Sequence, residues 1–165
     1  MIIRGEKVTL RPVTEDDLSI VMSWENDPSL WSITEHDGLL SEATILNFIR
    51  NSDSLQEDQQ LRLIIEDFSG KEIGALDLFD ADLHNKSCGL GILIAKSEYR
   101  KQGYAHDALS TLIRHQQRQR QLIHFRCLIH KDNEASLALF LKNGFQKKGS
   151  KFFKGKEAIQ FTLDI

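Results

Sequence analysis

The sequence contains little cysteine and no long apolar run. Its two cysteines, Cys88 and Cys127, both lie in apolar, strand-like stretches, which favours buried free thiols in a reducing compartment over a disulfide or a metal pair. No stretch approaches the roughly 20 apolar residues that a membrane-spanning helix requires. The first residues also lack the basic-then-apolar order of a secretory signal. We therefore expect a cytoplasmic protein with no metal centre and no membrane partner.

Internal repeats and low-complexity tracts are also absent, and 41% of the 165 residues are hydrophobic. This composition predicts a single domain over residues 1–165 with a full core. The net charge of −3 hides an asymmetry, since residues 1–85 carry 18 Asp/Glu and 6 Lys/Arg whereas residues 86–165 carry 6 Asp/Glu and 15 Lys/Arg. The first half suits a cationic partner and the second an anionic one, with ordinary surface variation as the alternative. The basic half lacks interleaved aromatic residues and a recognisable nucleic-acid-binding motif, so we expect no nucleic-acid partner.

Hydrophobic periodicity predicts an α/β domain. Alternating apolar residues predict strands at 8–12, 61–65, 72–79, 87–95 and 122–130, and a closing hairpin over 145–165. Helical stripes predict four helices, with starts near Thr14, Ser41, Gly103 and Asn133. Residues 29–40 and 51–60 read as irregular connections. The resulting order, β-α-α-β-β-β-α-β-α-β-β, predicts a mixed, largely antiparallel sheet.

The segment Arg100–Ala105 lies between an apolar strand and an amphipathic helix. A helix start presents N–H groups without partners and a partial positive charge, which together hold anions such as phosphate. Gly103 permits close approach of the backbone to such an anion, and Arg100 and Lys101 add positive charge nearby. From this segment alone, an anion site and a solvated turn are equally good interpretations.

A second pattern follows about 30 residues later and consists of Asn133, Ser136, Phe140, Gly144 and Phe145. Together with Arg100-x-x-Gly103-x-Ala105, it resembles the two motifs of the GNAT superfamily of acyl-CoA-dependent N-acyltransferases. The resemblance covers nearly the whole chain, because the order of strands and helices also fits. It implies a GNAT-like fold with a twisted sheet of about seven strands flanked by about four helices, in which the fourth and fifth strands splay apart. It also implies an enzyme that moves an acetyl group from acetyl-CoA to a primary amine.

The resemblance implies where acetyl-CoA is held. Its pyrophosphate is expected on the backbone of Arg100, Lys101, Gln102, Gly103, Tyr104 and Ala105. Its pantetheine arm is expected along Ile92, Leu93 and Ile94, where a splayed strand leaves backbone groups for a strand-like ligand. The backbone N–H of Leu93 is expected to polarise the thioester oxygen. Further contacts to the donor are expected from Asn133, Ser136, Phe140 and Lys142.

Two positions depart from the family pattern, and both concern proton transfer. Many relatives carry Tyr where this chain has Phe140, which cannot donate a proton, and many carry Glu in the fourth strand where this chain has Gly89. An attacking alkyl amine has a pKa near 10.4 and must first lose a proton. Asp77, a lone acid in an apolar strand, is the candidate base, with a solvent-facing edge position as the alternative. The candidate proton donors are Ser136, Tyr104, His106, Cys127 and His130.

The acidic first half of the chain favours a cationic acceptor. The side chains expected to contact this acceptor are Trp24, Glu25, Trp31, Glu35 and Asp77. Leu10-Arg11-Pro12 and Trp24-Glu25-Asn26-Asp27 resemble the branch containing spermidine and ribosomal-protein N-terminal acetyltransferases. This resemblance implies a polyamine, an amino sugar or a protein N-terminus as acceptor, and it is compatible with a homodimer. The alternative function is a catalytically silent acyl-CoA-binding or interaction module, because the Tyr and the Glu are both missing.

Overall fold

A single mixed sheet runs through the computed structural model, which describes residues 1–34, 36 and 38–165. Its nine strands in that part of the chain are β1 (Ile3–Arg4), β2 (Val8–Pro12), β3 (Asp53–Ser54), β4 (Gln60–Asp67), β5 (Glu72–Asp82), β6 (Ser87–Ile94), β7 (His124–His130), β8 (Gln146–Phe153) and β9 (Lys156–Asp164). The strand order is β1-β2-β4-β5-β6-β7-β9-β8, with β3 beside β4. The β6–β7 pair is parallel and the other pairs are antiparallel. The predicted mixed, largely antiparallel sheet is confirmed.

Six helices flank the sheet within the described residues. They are α1 (Leu18–Glu25), α2 (Trp31–Thr34), α3 (Glu42–Arg50), α4 (Leu55–Asp58), α5 (Tyr104–Gln119) and α6 (Glu134–Lys142). The four predicted helices correspond to α1, α3, α5 and α6. The additional elements α2, α4 and β3 lie in stretches that the sequence predicted to be irregular, because two to four residues are too few to show a period.

Helices pack on both faces of the sheet and give two apolar clusters. On one face, Leu63 and Leu76 pack with the apolar side of α5. On the opposite face, which we call the α1/α3 face, Ile64, Ala75 and Leu93 pack with α1 and α3. Successive side chains of a strand point to opposite faces, which explains why Leu63 and Ile64 belong to different clusters. Burial of each such Leu or Ile side chain contributes roughly 1.5–3 kcal/mol.

The first turn of α5 is fixed by a buried acid. The carboxylate of Asp107 accepts hydrogen bonds from the backbone N–H groups of Glu6, Lys7 and Val8 at 3.1, 2.7 and 3.1 Å. Gly5 allows this approach, because a Cβ atom there would lie 2.5 Å from the Oδ2 atom of Asp107. The start of α5 is therefore anchored to the beginning of β2, about 100 residues earlier in the sequence.

We expect Asp107→Ala to lower the free energy of unfolding by roughly 3 kcal/mol, because it leaves three backbone N–H groups without their charged acceptor. Urea denaturation followed by circular dichroism measures this change. Glu42→Ala is the matched control, since Glu42 is also an acid in the first turn of a helix but is exposed. An equal loss in both variants would contradict the anchoring role of Asp107.

Candidate active site

The parallel strands β6 and β7 separate within the sheet. Residues 87–89 pair with residues 124–126, and the ladder between the two strands ends there. Beyond that point β6 continues beside β5, and β7 continues beside β9. One backbone edge of each strand is therefore left facing a gap, where its N–H and C=O groups need other partners. A cavity of about 580 Å³ opens at this gap.

Several residues predicted to hold the acyl donor line this cavity. They are Ile92, Leu93, Asn133, Ser136 and Phe140. The predicted contacts Ile94 and Lys142 are not among the lining residues that the structure describes: Ile94 packs against the α5 cluster, and Lys142 is exposed on α6. Asn133 also caps α6, since its Oδ1 atom accepts a hydrogen bond from the Ser136 N–H at 3.2 Å.

The direction of the β6 backbone decides which N–H groups face the gap. The Ala95 N–H donates to the Ile73 carbonyl beside β5 at 2.9 Å, and a Cβ atom on Gly74 of β5 would lie 2.0 Å from the Leu93 carbonyl oxygen. Because the N–H and C=O groups of one strand residue point to the same side, the Leu93 N–H also faces β5. Alternation then directs the N–H of Ile92 into the gap. Ile92 replaces Leu93 as the backbone donor available to a ligand there.

The predicted phosphate loop has the backbone of an anion site. Lys101 and Gly103 both adopt left-handed conformations, with φ of 58° and 86°. The first α5 hydrogen bond runs from the Asp107 N–H to the Gly103 carbonyl at 2.9 Å, and the N–H groups of residues 101–106 make no backbone hydrogen bond within the described part of the chain. Consecutive free N–H groups at a helix start form a concave site for an anion.

Two basic side chains shape this loop. Arg100 donates to the carbonyls of Ile94 and Ala95 at 3.1 and 3.2 Å, so its guanidinium ties the loop to the end of β6. Lys7, which the sequence reasoning missed, donates from Nζ to the Gln102 carbonyl at 2.9 Å. The Lys7 ammonium thereby adds positive charge beside the free N–H groups. Lys7 lies 96 residues before Gly103 in the sequence, so no pattern around the loop could indicate its contribution.

A row of charged side chains lies on the α1/α3 face beside the gap. Arg62 of β4 makes a bidentate ion pair with Asp77 of β5, with both N···O distances 2.8 Å. Its third nitrogen donates to Glu25, at the end of α1, at 2.9 Å. Burial alone would lower the pKa of the Arg62 guanidinium, but the charges of Asp77 and then of Glu25 outweigh burial and raise the pKa above its ordinary value. Arg62 is therefore a permanent cation between two acids.

Residues around α2 contact the second carboxylate oxygen and the backbone carbonyl of Glu25. His36 Nε2 lies 2.9 Å from Glu25 Oε2, and Trp31 Nε1 donates to the Glu25 carbonyl at 2.9 Å. The Phe48 ring covers the Arg62 guanidinium at 4.5 Å, a cation–π contact that also excludes water. Glu25, Asp77 and Arg62 line the cavity.

The remaining predicted acceptor contacts have different positions. Trp24 is buried in the α1/α3 cluster and does not belong to the described cavity wall, which corrects its assignment as an acceptor contact. The indole N–H of Trp31 donates a hydrogen bond to the backbone carbonyl of Glu25. Glu35 lies outside the described residues. The candidate base Asp77 is a cavity residue with its side chain 25% exposed, so it is not a solvent-facing edge residue.

Glycines on β6 open the space in front of Asp77. Gly91 is the cross-strand partner of Asp77, and Gly89 is the partner of Phe79. A Cβ atom on Gly89 would lie 2.3 Å from the Phe79 ring, so Phe79 occupies the space of a side chain at position 89. A side chain at position 89, such as the Glu of many relatives, therefore has no room here, whereas Asp77 of β5 lines the cavity.

The candidate proton donors differ in how accessible their protons are. Phe140 is 3% exposed and packs edge-to-face on Phe145, with ring centroids 5.0 Å apart. Cys127 lines the cavity, but burial raises the pKa of its thiol to about 12, which makes proton donation unfavourable at neutral pH. Ser136 and His130 also line the cavity. Tyr104 and His106 lie on α5, outside the described cavity wall.

A sheet opened between two parallel strands, beside a helix start with free backbone N–H groups, is the arrangement of an acyl-CoA-dependent acyltransferase. A family model of the acetyltransferase (GNAT) domain matches residues 7–146, so the chain belongs to the GNAT family of acetyl-CoA-dependent N-acetyltransferases. In sequence it is similar to YoaA, an uncharacterized N-acetyltransferase of Bacillus subtilis (strain 168), with 27% identity over 90% of this chain and 84% of YoaA.

Solved structures agree on the fold. The chain is similar to RimL, a ribosomal L7/L12 alpha-N-protein acetyltransferase in complex with coenzyme A, with a TM-score of 0.86, 18% identity and coverage of 100% of this chain and 98% of RimL. It is also similar to spermidine N-acetyltransferase from Vibrio cholerae in complex with CoA and spermine, with a TM-score of 0.84, 17% identity and 95% coverage of both chains.

The part of the chain that the structure describes contains neither a cluster of metal-ligating side chains nor a helix suited to cross a membrane. No group of three or more His, Cys, Asp or Glu side chains there could hold a metal ion. None of the described helices is both long and apolar enough to cross a membrane.

Proposed function

We propose that this protein transfers the acetyl group of acetyl-CoA directly to a primary amine at the gap between β6 and β7. The observation that carries the proposal is that β6 leads from the gap to the loop of residues 100–105, which Arg100 ties to the end of that strand. The free N–H groups of the loop suit the pyrophosphate, and the exposed edge of β6 suits the pantetheine amides. Asn133, Ser136 and Phe140 would contact the arm from α6.

In the proposed reaction, the amine nitrogen forms a bond to the thioester carbon while the carbon–sulfur bond breaks. The Ile92 N–H stabilises the negative charge that develops on the thioester oxygen. Asp77, directly or through a water molecule, accepts the proton that the ammonium must lose before attack. CoA leaves as a thiolate whose thiol has a pKa of about 8.5. The second proton, which the nitrogen loses after it has bonded to the thioester carbon, passes to this thiolate or to water, and Ser136 is available to relay it.

Asp77→Asn is expected to lower kcat by roughly 100-fold or more, because the amide keeps the shape of the carboxylate but cannot accept the proton. Steady-state thiol release measures kcat, and calorimetric titration checks that acetyl-CoA still binds. Asp82→Asn is the matched control, since Asp82 is an exposed acid on the same strand that does not line the cavity. A kcat within threefold of the parent for Asp77→Asn would exclude Asp77 as the base.

The acceptor classes follow from this site and from the relatives. A small cationic molecule and a protein N-terminus both present a primary amine, and the similar structures include enzymes for each class. Thiol release measured across polyamines, aminoglycosides, amino sugars and peptide amines tests the proposal. Turnover with any of them rules out the silent acyl-CoA-binding module that the absent Tyr and Glu suggested. Lack of saturable acetyl-CoA binding in calorimetry would overturn the enzyme and the module alike.

We further propose that residues 1–165 act as one N-acetyltransferase domain in the cytoplasm. The single sheet from β1 to β9 supports one domain. The buried free thiols of Cys88 and Cys127 are consistent with a reducing compartment.

A further inference from the structure

The described wall of the cavity carries equal numbers of formal positive and negative charges. Its acids are Glu25, Asp77 and Asp80, and its bases are Arg62, Arg126 and Lys151. An acidic first half of the chain predicted a cationic acceptor, but the second half contributes two of these three cations. The charge that the cavity favours on an acceptor therefore depends on how the six groups are paired.

The acids are largely neutralised by protein cations. Both oxygens of Asp77 accept from Arg62, and Glu25 accepts from the same guanidinium. These three side chains leave one net negative charge. Asp80 lies 3.8 Å from Arg126, and that pair is close to neutral. The acidic side of the cavity can therefore accommodate one ammonium group.

The opposite side of the cavity is basic. Lys151 lies on β8, opposite Ala158, and Ala158 lies opposite His130 of β7, so the three side chains share the α1/α3 face. Lys151 makes no ion pair among residues 1–34, 36 and 38–165. Arg126 also lines the cavity, but its guanidinium lies beside Asp80 of β5, so Lys151 is the cation on this side of the described cavity wall.

We propose that the acceptor is the N-terminal α-amine of a peptide with acidic residues in its first positions. The inference rests on the proposed acetyl transfer and specifies its substrate class. The ammonium of this acceptor meets Asp77, and the acidic side chains that follow it extend across the gap towards Lys151. A polyamine is disfavoured because its other amines, with pKa values near 10, would carry positive charge to the basic side.

Matched acceptors test this inference. We compare kcat/KM for free glutamate, for a peptide beginning Ser-Glu-Glu, for the same peptide with Lys at both Glu positions, and for spermidine. We expect the acidic peptide to exceed the basic peptide, spermidine and free glutamate by about tenfold or more, because a single amino acid is too short to reach both sides of the cavity. A higher kcat/KM for glutamate than for the acidic peptide would overturn the assignment to a peptide.

The variant Lys151→Glu tests whether the preference for the acidic peptide depends on Lys151. We expect it to lower the ratio of acidic to basic peptide by about tenfold or more, because it replaces attraction by repulsion on one side of the cavity. Lys147→Glu makes the same charge change on the same strand, but the pairing of Lys147 with buried Phe161 places it on the α5 face, so the ratio should stay near that of the parent.

Preference for spermidine or the basic peptide would overturn this inference and leave acetyl transfer intact. A ratio that Lys151→Glu does not change, or that Lys147→Glu lowers equally, would also overturn it. Absence of turnover with every amine would overturn the proposed function together with the inference.

Discussion

Gly103→Glu is expected to weaken the binding of acetyl-CoA by roughly 100-fold or more. Gly103 has a φ of 86°, and its Cβ position would lie 3.7 Å from the Lys7 Nζ atom. The new carboxylate would occupy the anion site and neutralise Lys7, while repelling the pyrophosphate. Left-handed backbone costs about 1–2 kcal/mol for a residue with a Cβ, so the fold should persist. Calorimetric titration measures the affinity.

A second left-handed glycine provides the control for Gly103→Glu. Gly155, in the turn between β8 and β9, has a φ of 78° and no atom within 4 Å of its Cβ position. Gly155→Glu therefore imposes similar backbone strain and the same charge change at the edge of the sheet formed by β9 and β8, outside the loop. Affinity within threefold of the parent for Gly103→Glu would show that the pyrophosphate binds elsewhere.

Arg62→Ala is expected to lower the free energy of unfolding by about 3–5 kcal/mol. The Arg62 side chain is 10% exposed, and its removal leaves the carboxylates of Glu25 and Asp77 close together without a cation. Breaking one partner out of a buried ion pair is costly because the remaining charge stays desolvated. Urea denaturation measures the change, and catalytic activity should fall with it.

Removing all three charges distinguishes the contribution of ion pairing to stability from that of packing. The triple variant Glu25→Gln, Arg62→Met, Asp77→Asn should recover most of the stability lost in Arg62→Ala, because no buried charge is left without a partner. Arg50→Met, which breaks an exposed pair with Glu15, serves as the single-site control and should change stability little. A loss below about 1 kcal/mol for Arg62→Ala would mean that the two acids find other partners.

The loop, the helix and the cap on the proposed donor side could be predicted from sequence because each is local. The loop at residues 100–105, the helix that follows it and the cap at Asn133 each depend on neighbours within a few residues, so the pattern identifies them. The side on which the Leu93 N–H lies is not local, because it depends on how β6 pairs with β5. The direction of the Leu93 N–H could therefore be assigned only from the strand register in the structure.

The acceptor side was only partly predictable because it is assembled from distant elements. Asp77 was recognised as a lone acid in an apolar strand, but its partner Arg62 was missed. A signal existed: residues 68–71, Phe-Ser-Gly-Lys, have the composition of a hairpin turn between the predicted strands 61–65 and 72–79. Counting symmetrically outward from this turn places position 62 opposite position 77, as the structure has it. Glu25 and His36 have no such relation to either strand, since their positions depend on the packing of α1 and α2. Lys151 likewise reaches the cavity only through the order β7-β9-β8.

The gap between β6 and β7 also has a mechanical consequence. Across the sheet, the block from β1 to β6 is joined to the block of β7, β9 and β8 by three residue pairs in the described ladder. A ligand that hydrogen-bonds to both open edges supplies the cross-links that a longer ladder would have supplied. A donor bound in this way links the two blocks of strands. The complex that the acceptor meets is then stiffer than the protein alone.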